Sequence, residues 1–444
     1  MKKIKLLFFA LLLLMTGLWL LADTLIPQPF TYFSFRGVVI QYSGIIGMSV
    51  MSVAMLLALR SKTLEPFLGG LDKMYRLHKW LGITALVVSI IHWWWAQGTK
   101  WMVGWGWLAR PVRGHRGEEA AGFVEAWLRS QRGFAESVGE WAFYAAVVLL
   151  VLALVKRFPY HLFTKTHKLM ALVYLALVFH AVVLVNIDYW AQPIGWLLAV
   201  LMFGGSASAL WILAGRVGAD CKVQGAISAC TYYPELRVLE TTVTLADGWP
   251  GHAPGQFAFV TYENMEDAHP YSIASAWNPG DRRIVFIAKA LGDHTSRLRE
   301  QLKIGMAVTV EGPYGCFDFR DAQSRQIWVG AGIGITPFIA RLKQLADTPD
   351  AKVIDLFHPT MDFDPVAIEK LAADAEAAGV KLHVLVDEKD GQLNGQAIRD
   401  AVPDWQSASF WFCGPPAFGQ ALRKDFIAHG LPSRHFHQEL FSMR

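Results

Sequence analysis

The sequence predicts a multi-domain chain: a bundle of six membrane-spanning helices, then an antiparallel β-barrel, then an α/β domain. Three observations predict it. Apolar residues make up 53% of the 444 positions and charged residues 18%, and the apolar enrichment lies in the first half. Six apolar stretches there, at about 4–22, 36–59, 77–97, 138–156, 167–187 and 193–214, approach the roughly 20 residues that a spanning helix needs. From about 217 the pattern changes to short β-rich runs with turns, and from about 321 strand and helix patterns alternate.

The first stretch, "MKKIKLLFFALLLLMTGLWLLAD", has the basic end and apolar run of a signal peptide. No small-x-small cleavage site follows it, so an uncleaved anchor is expected. Basic residues flank alternate ends of the stretches: Lys2, Lys3 and Lys5, then Lys62, Lys73, Arg76 and Lys79, then Lys156, Arg157, Lys165 and Lys168. The positive-inside rule makes those ends cytoplasmic. Six crossings then leave both termini inside, as in a multi-pass protein of the inner, cytoplasmic membrane.

The third stretch, "RLHKWLGITALVVSIIHWWW", carries His78 and His92. An ionisable side chain within a membrane is costly and marks function by default, and neutral imidazole is a common iron ligand. Fourteen residues separate the two along roughly 21 Å of helix and return within about 40° of the same face. Boundary histidines reaching toward headgroups explain one such helix equally well. The fifth stretch, "FTKTHKLMALVYLALVFHAVVLV", repeats the pattern with His167 and His180. Two helices with two histidines each can hold two stacked haems with both axial positions filled. Thirteen residues turn the second side chain roughly 140° away from the first, a difference left to tilt, rotamer choice or a local bulge. The topology pairs His78 with His167 at the inner level and His92 with His180 at the outer one.

Trp93, Trp94, Trp95, Trp101, Trp105 and Trp107 suit an aromatic belt at the outer interface. The loop segment "EEAAGFVEAWLRSQRGF" reads as a surface-lying amphipathic helix. His115 and His161 have no partner at matching depth and read as surface residues.

In the second half, "LRVLETTVTL", "GQFAFVTY", "RRIVFIAKAL" and "MAVTVEG" suggest the barrel. "RQIWVGAGIG", "AKVIDLFHP", "KLHVLVDE" and "SASFWFCGPP" alternate with helical runs in a nucleotide-binding layout. "HPYSIAS", "KALGDHTSRL", "EGPYG", "GAGIGITP" and "CGPP" stand in the order and spacing of ferredoxin-reductase-type flavin and nicotinamide modules. Joined to the four-histidine half, the chain resembles the NADPH oxidase and ferric reductase family of transmembrane flavocytochromes over nearly its whole length. The resemblance implies a six-helix transmembrane haem-binding bundle over 1–216, a β-barrel FAD domain over 217–320 and an α/β NAD(P)-binding domain over 321–444, the last two cytoplasmic.

It also implies residue roles. Within His269, Pro270, Tyr271, Ser272, Ile273 and Ser275, the tyrosine packs beside the isoalloxazine, Ser272 and nearby backbone bond its edge, and His269 lies toward the FAD pyrophosphate. Gly292 and Thr295 mark the turn and helix start that meet the FAD phosphates. Gly330, Gly332 and Gly334 allow close approach of the nicotinamide dinucleotide, with Thr336 near the nicotinamide end and Pro337 opening a helix. Cys413, ahead of Gly414 and Pro415, borders the hydride-transfer position. Glu439 and Phe441 are the acid and aromatic near the flavin, although three residues follow Phe441. The remaining cysteines, Cys221, Cys230 and Cys316, make no disulfide or zinc framework.

NAD(P)H delivers two electrons and haem iron accepts one, so a flavin must stand between them. The implied route runs from NAD(P)H through FAD and two haems b to an acceptor outside: dioxygen giving superoxide, a ferric chelate, or a periplasmic electron-accepting partner protein. A non-catalytic haem-binding or proton-conducting protein would need no nucleotide motifs. Membrane lipid is the surrounding partner, and no nucleic acid is expected. Thr360, with Asp362 and Asp364 nearby, stands where NADPH-using relatives often place an arginine, which favours NADH.

Overall fold

The computed structural model describes residues 1–109, 122–263, 265 and 267–439. The chain forms two compact units: Met1–Ser61 with Lys73–Val217, and Lys62–Asp72 with Gly218–Met443.

The first unit is helical: α1 (Lys2–Ala22), α2 (Tyr32–Leu57), the one-turn α3 (Glu65–Leu68) in the connection, α4 (Leu71–Trp93), a π-helical turn Trp94–Gly98 leading into α5 (Thr99–Gly104), α6 (Phe123–Leu154), α7 (Tyr160–Lys168), α8 (Met170–Leu184) and α9 (Pro193–Leu213). Thr31 and Ser34 form a reciprocal cap at the start of α2, and Pro193 supplies the preset φ that opens α9. Five described helical stretches are long and apolar enough to cross a membrane: Lys2–Ala22, Tyr32–Leu57, Phe123–Leu154, Tyr160–Leu184 and Pro193–Leu213. Helix α4 is not among them, because its first turns carry Asp72, Lys73, Arg76 and Lys79. The separate amphipathic helix expected before the fourth span is also absent among the described residues. Residues from Phe123 onward continue without a break into the 32-residue α6, because the segment holds no proline and its Gly133 does not end a helix. The first helix packs against α2 and α9, with Trp19 fully buried and its indole N–H on the Tyr189 hydroxyl. Trp94, Trp101, Trp105 and Trp107 are exposed, as an interfacial belt requires.

The second unit holds two sheets. β1 (Lys222–Tyr233), β2 (Val238–Leu245), β3 (Phe257–Tyr262), β4 (His269–Ser272), β5 (Arg283–Lys289) and, after α10 (Asp293–Gln301), β6 (Ala307–Tyr314) pair in the order β4-β3-β6-β1-β2-β5. The sheet is antiparallel throughout. A barrel was the expectation from sequence. Here one isolated bridge, Ile273 to Phe286, draws the two ends together, and no ladder between β4 and β5 closes the ring among the described residues. β4 ends at Ser272, and the chain meets β5 only at the next residue, Ile273, through that single bridge.

The other sheet is parallel: β7 (Arg325–Gly330), α11 (Thr336–Asp347), β8 (Val353–Thr360), α12 (Pro365–Ala377), β9 (Lys381–Val386), α13 (Asp387–Asp390), α14 (Gly395–Ala401), β10 (Ala408–Cys413), α15 (Pro416–Ala428) and β11 (Phe436–Gln438), in strand order β11-β10-β7-β8-β9. The chain leaves β7 on one side and returns on the other at β10. This reversal opens a crevice at the carboxyl ends of β7 and β10, where α/β sheets bind ligands. The connection Lys62–Asp72 belongs to this unit. Glu65, 5% exposed, accepts the N–H groups of Gly315 at 2.6 Å and Leu71 at 3.0 Å, and Lys62 donates to Gly312 O.

Candidate functional site

The four histidines of the helical unit meet in two pairs. His78 and His167 face each other with ring centres 5.9 Å apart and planes at 76°; His92 and His180 do so at 6.2 Å and 77°. Metal–imidazole bonds of about 2 Å on each side of one ion put two ring centres roughly 6 Å apart. Both spacings therefore leave room for an iron between the two rings of a pair.

The rings are held in the tautomer that ligation needs. Nδ1 of His78 lies 3.0 Å from Ala54 O, that of His92 3.1 Å from Ile40 O, and that of His180 2.8 Å from Ala135 O. A carbonyl only accepts, so the proton sits on Nδ1 and the Nε2 lone pair is left for a metal. Ser43 Oγ adds a second contact to His92 at 3.0 Å, and His167 stacks on Phe163. Sequence reasoning did not find these carbonyls, and only one signal existed for them. Ile40 and Ala54 are fourteen residues apart on α2, the spacing of His92 and His78 on the antiparallel α4.

The unequal spacing of the second histidine pair has a local cause. His167 lies in the last turn of α7 and His180 lies on α8, with Leu169 between the helices. There Leu169 N bonds Thr166 O, three residues back. This tightened turn winds the chain by about 120° per residue instead of 100°, which reduces the angular difference.

In the six-stranded sheet, Tyr271 on β4 is buried, and its hydroxyl is 2.7 Å from His294 Nε2. Burial pushes that phenol up, so it stays protonated. His294 stacks on His269 with ring centres 3.4 Å apart. Burial, with His269 adding to it, lowers His294 to about 4, and burial also lowers His269. His294 was missed although it stands inside "KALGDHTSRL", next to Thr295. The Thr295 hydroxyl accepts the N–H groups of Leu291 and Gly292 and closes the turn into α10. A side chain at Gly292 would meet nothing within 4 Å, which leaves room for an anion beside the start of α10. Ser275 is committed elsewhere: its Oγ accepts Val285 N–H, and its carbonyl accepts from His252 Nε2 at 3.0 Å.

At the crevice of the parallel sheet, Gly330 pairs with Cys413, and Ala331 N–H donates to Cys413 O. A Cβ on Gly334 would stand 2.2 Å from Cys413 O, and one on Gly414, at φ +154°, 2.7 Å from Ala331 Cβ. Gly332, at φ +54°, has open space. The glycines thus lock two loops together and leave one backbone face bare, a cradle that suits a dinucleotide. Thr336 is buried with its hydroxyl on Ile333 O, and Pro337 lies in the first turn of α11. Cys413 is fully buried, and burial, with Glu439 adding to it, raises its thiol well above the usual range. Phe441 lies outside the described residues, as do His115 and the loop arginines Arg110, Arg113 and Arg116. Of the acids after β8, Asp364 caps α12 through Ala367 N–H, and Asp362 pairs with Lys289 at 2.6 Å. Asp364 thus stands near Thr360 as a helix cap, and Asp362 as the partner of Lys289.

Residues 43–178 match the family described as "Ferric reductase like transmembrane component", a span that holds His78, His92 and His167 and ends two residues before His180. Residues 229–317 match "FAD-binding domain". The 2-halobenzoate 1,2-dioxygenase electron transfer component of Burkholderia cepacia is 27% identical over 203 residues, which cover 43% of this chain and 58% of that protein. The respiratory burst oxidase homolog protein E of Arabidopsis thaliana is 27% identical over 235 residues, 46% of this chain and 24% of the relative. Among solved structures, the ferredoxin reductase in carbazole 1,9a-dioxygenase has a TM-score of 0.42 at 20% identity, covering 50% of this chain and 69% of that one.

His252 makes the flavin-motif strand sensitive to acid. Burial lowers it from 6.5 to about 4, and its ring must stay neutral to donate to Ser275 O while accepting from Trp249 Nε1. A depressed folded-state pKa stabilises fully above pH 6.5, and the stabilisation, up to about 3 kcal/mol, is lost as pH falls toward 4. His252→Asn keeps a donor for Ser275 and does not titrate. Its melting midpoint, followed by flavin fluorescence, is expected to fall less between pH 7 and pH 4.5 than that of the wild type. Parallel curves would refute the assignment.

Proposed function

Starting from a chain that joins a ferric-reductase-like transmembrane component to an FAD-binding oxidoreductase module, we propose that it carries electrons from cytoplasmic NADH or NADPH across the inner membrane to an acceptor outside. The observation that carries the reading is the meeting of four histidines in two opposed pairs, each at iron-ligating separation. The domains are then 1–216, 217–320 and 321–444, and α4 is the sixth crossing, its charged first turns at the cytoplasmic face. His78 and His167 hold the inner haem b, and His92 and His180 the outer one. His269, Pro270, Tyr271, Ser272, Ile273 and the turn of Gly292 and Thr295 bind FAD. Gly330, Gly332, Gly334, Thr336, Pro337, Gly414 and Pro415 bind the nicotinamide coenzyme, with Cys413, Glu439 and Phe441 beside the reacting end.

The chemistry these groups supply when bound is the splitting of a two-electron hydride donor into single-electron steps. The chain's own residues orient and insulate. The carbonyls of Ala54, Ile40 and Ala135 fix three imidazoles with Nε2 inward. The buried, protonated Cys413 excludes water from the crevice without offering a thiolate. His92 and His180 would both be taken up in holding the outer haem, and the acceptor would then receive its electron without binding the metal. Arg129 and Arg132, both on α6, pair with Glu125 and Glu136 and so offer little to a bulky anionic chelate. Dioxygen, small and apolar, is the acceptor this favours, giving superoxide.

Haem quantitation on fully loaded protein is expected to give two low-spin haems per chain, and His92→Ala or His180→Ala one. In those variants NADH still bleaches the flavin, while acceptor reduction falls to background. A wild-type count of one or none would overturn the reading.

Coenzyme choice follows from the Lys289–Asp362 pair: a cation that reaches the segment after β8 is already neutralised, so a 2′-phosphate gains little from it. NADH is expected to match or exceed NADPH in kcat/KM. A many-fold advantage for NADPH would contradict this.

For the acceptor, cytochrome c reduction by purified protein with NADH is expected to be inhibited by superoxide dismutase. Insensitivity with faster turnover on ferric chelates would make the protein a metalloreductase; acceleration only by an added periplasmic protein would make it a dedicated donor.

A further inference from the structure

We infer that Gly139, on a helix that supplies no ligand, is a positioning residue of the outer haem site, its missing side chain being the seat into which His180 fits. The inference rests on the two-haem reading.

A helical carbonyl points along the axis toward the N–H four residues on, so an imidazole that takes its second lone pair comes in beside residue i+4. The described acceptors obey this with small residues at that place: Ala58 after Ala54, Gly44 after Ile40, and Gly139 after Ala135. The three seats differ in tightness. A Cβ on Gly44 would lie 3.5 Å from His92 Cε1, an ordinary contact. One on Gly139 would lie 2.0 Å from His180 Nδ1, 2.4 Å from Cε1 and 2.7 Å from Cγ, inside the ring.

His180 cannot step aside cheaply. Its Nδ1 is held by Ala135 O at 2.8 Å, and its ring faces His92 across 6.2 Å. A methyl group at 139 must break the first bond or widen the second spacing. Either change removes the opposed geometry that holds iron, and neither reaches His78 and His167 at the other level. Small residues also let membrane helices approach, and α6 does pack along α8. That general role would loosen both helices without selecting one haem.

The test compares Gly139→Ala with Gly133→Ala, which lies on the same helix and whose Cβ would meet nothing within 4 Å. Haem per chain is measured by the pyridine haemochrome, the low-spin signals by EPR, and folding of the second unit by flavin bleaching with NADH. The expected result is one haem per chain in Gly139→Ala, with one of the two wild-type low-spin signals lost and the other unchanged, and two haems in Gly133→Ala. Two haems with unchanged signals in Gly139→Ala would overturn the inference, as would loss of both haems or an equal loss in Gly133→Ala. A wild type that binds fewer than two haems would instead sink the underlying reading, and the wild-type count shows this before any variant is made.

Discussion

A backbone carbonyl inside an apolar helix keeps one lone pair after its own helical bond is made, and the helical unit depends on using that lone pair. An imidazole N–H in hydrocarbon costs several kcal/mol if nothing accepts it. The carbonyls of Ile40, Ala54 and Ala135 accept it, and in doing so choose the tautomer. The tautomer leaves the Nε2 lone pair open, and the helix that offers the carbonyl fixes where the ring sits. Helix α2, which carries no histidine, is therefore a template. Its two acceptors repeat the fourteen-residue spacing of α4 in the opposite direction, so one helix receives both rings of α4.

The soluble unit uses the same economy of backbone. Gly334 and Gly414 let the ends of β7 and β10 approach so closely that any side chain would strike Cys413 O or Ala331. This contact holds the crevice at the sheet's reversal in one shape without spending a polar side chain on it. Around the flavin motif, neutral groups do the holding. Tyr271 stays protonated, and His294, His269 and His252 are pulled toward the neutral form by burial. Neutral donors and acceptors bond without the desolvation cost of charge. Net charge is kept for ion pairs that tie elements together, such as Lys289–Asp362 and Lys370–Glu240.

Much of the architecture was legible in the sequence because it is written in local periodicity and in costly residues. Four histidines in membrane-length runs are too expensive to be incidental, and their spacings of fourteen and thirteen already implied two levels. The glycine-rich turn after "IWV" and the turn before α10 announced themselves through residues that only special backbone needs. Other features were not legible, each for a stated reason. The continuity of α6 escaped because polar and apolar stretches joined in one helix look like two. The cap made by Asp364 escaped because an acidic residue before a proline-opened helix was read for its charge alone. His294 escaped because its partners, Tyr271 and His269, lie more than twenty residues away in the chain.

The sequence by itself determined which residues could ligate, which segments are helical and apolar, and in what order the nucleotide motifs stand, since these follow from composition and from periods of two and 3.6 residues. Only the tertiary structure decided which carbonyl receives which imidazole, that the fifth stretch tightens by a turn at Leu169, and that a Cβ at residue 139 would meet the His180 ring. Every residue has a carbonyl, so no pattern marks the few that matter. They are selected by how helices distant in sequence pack, and that selection is a property of the whole bundle.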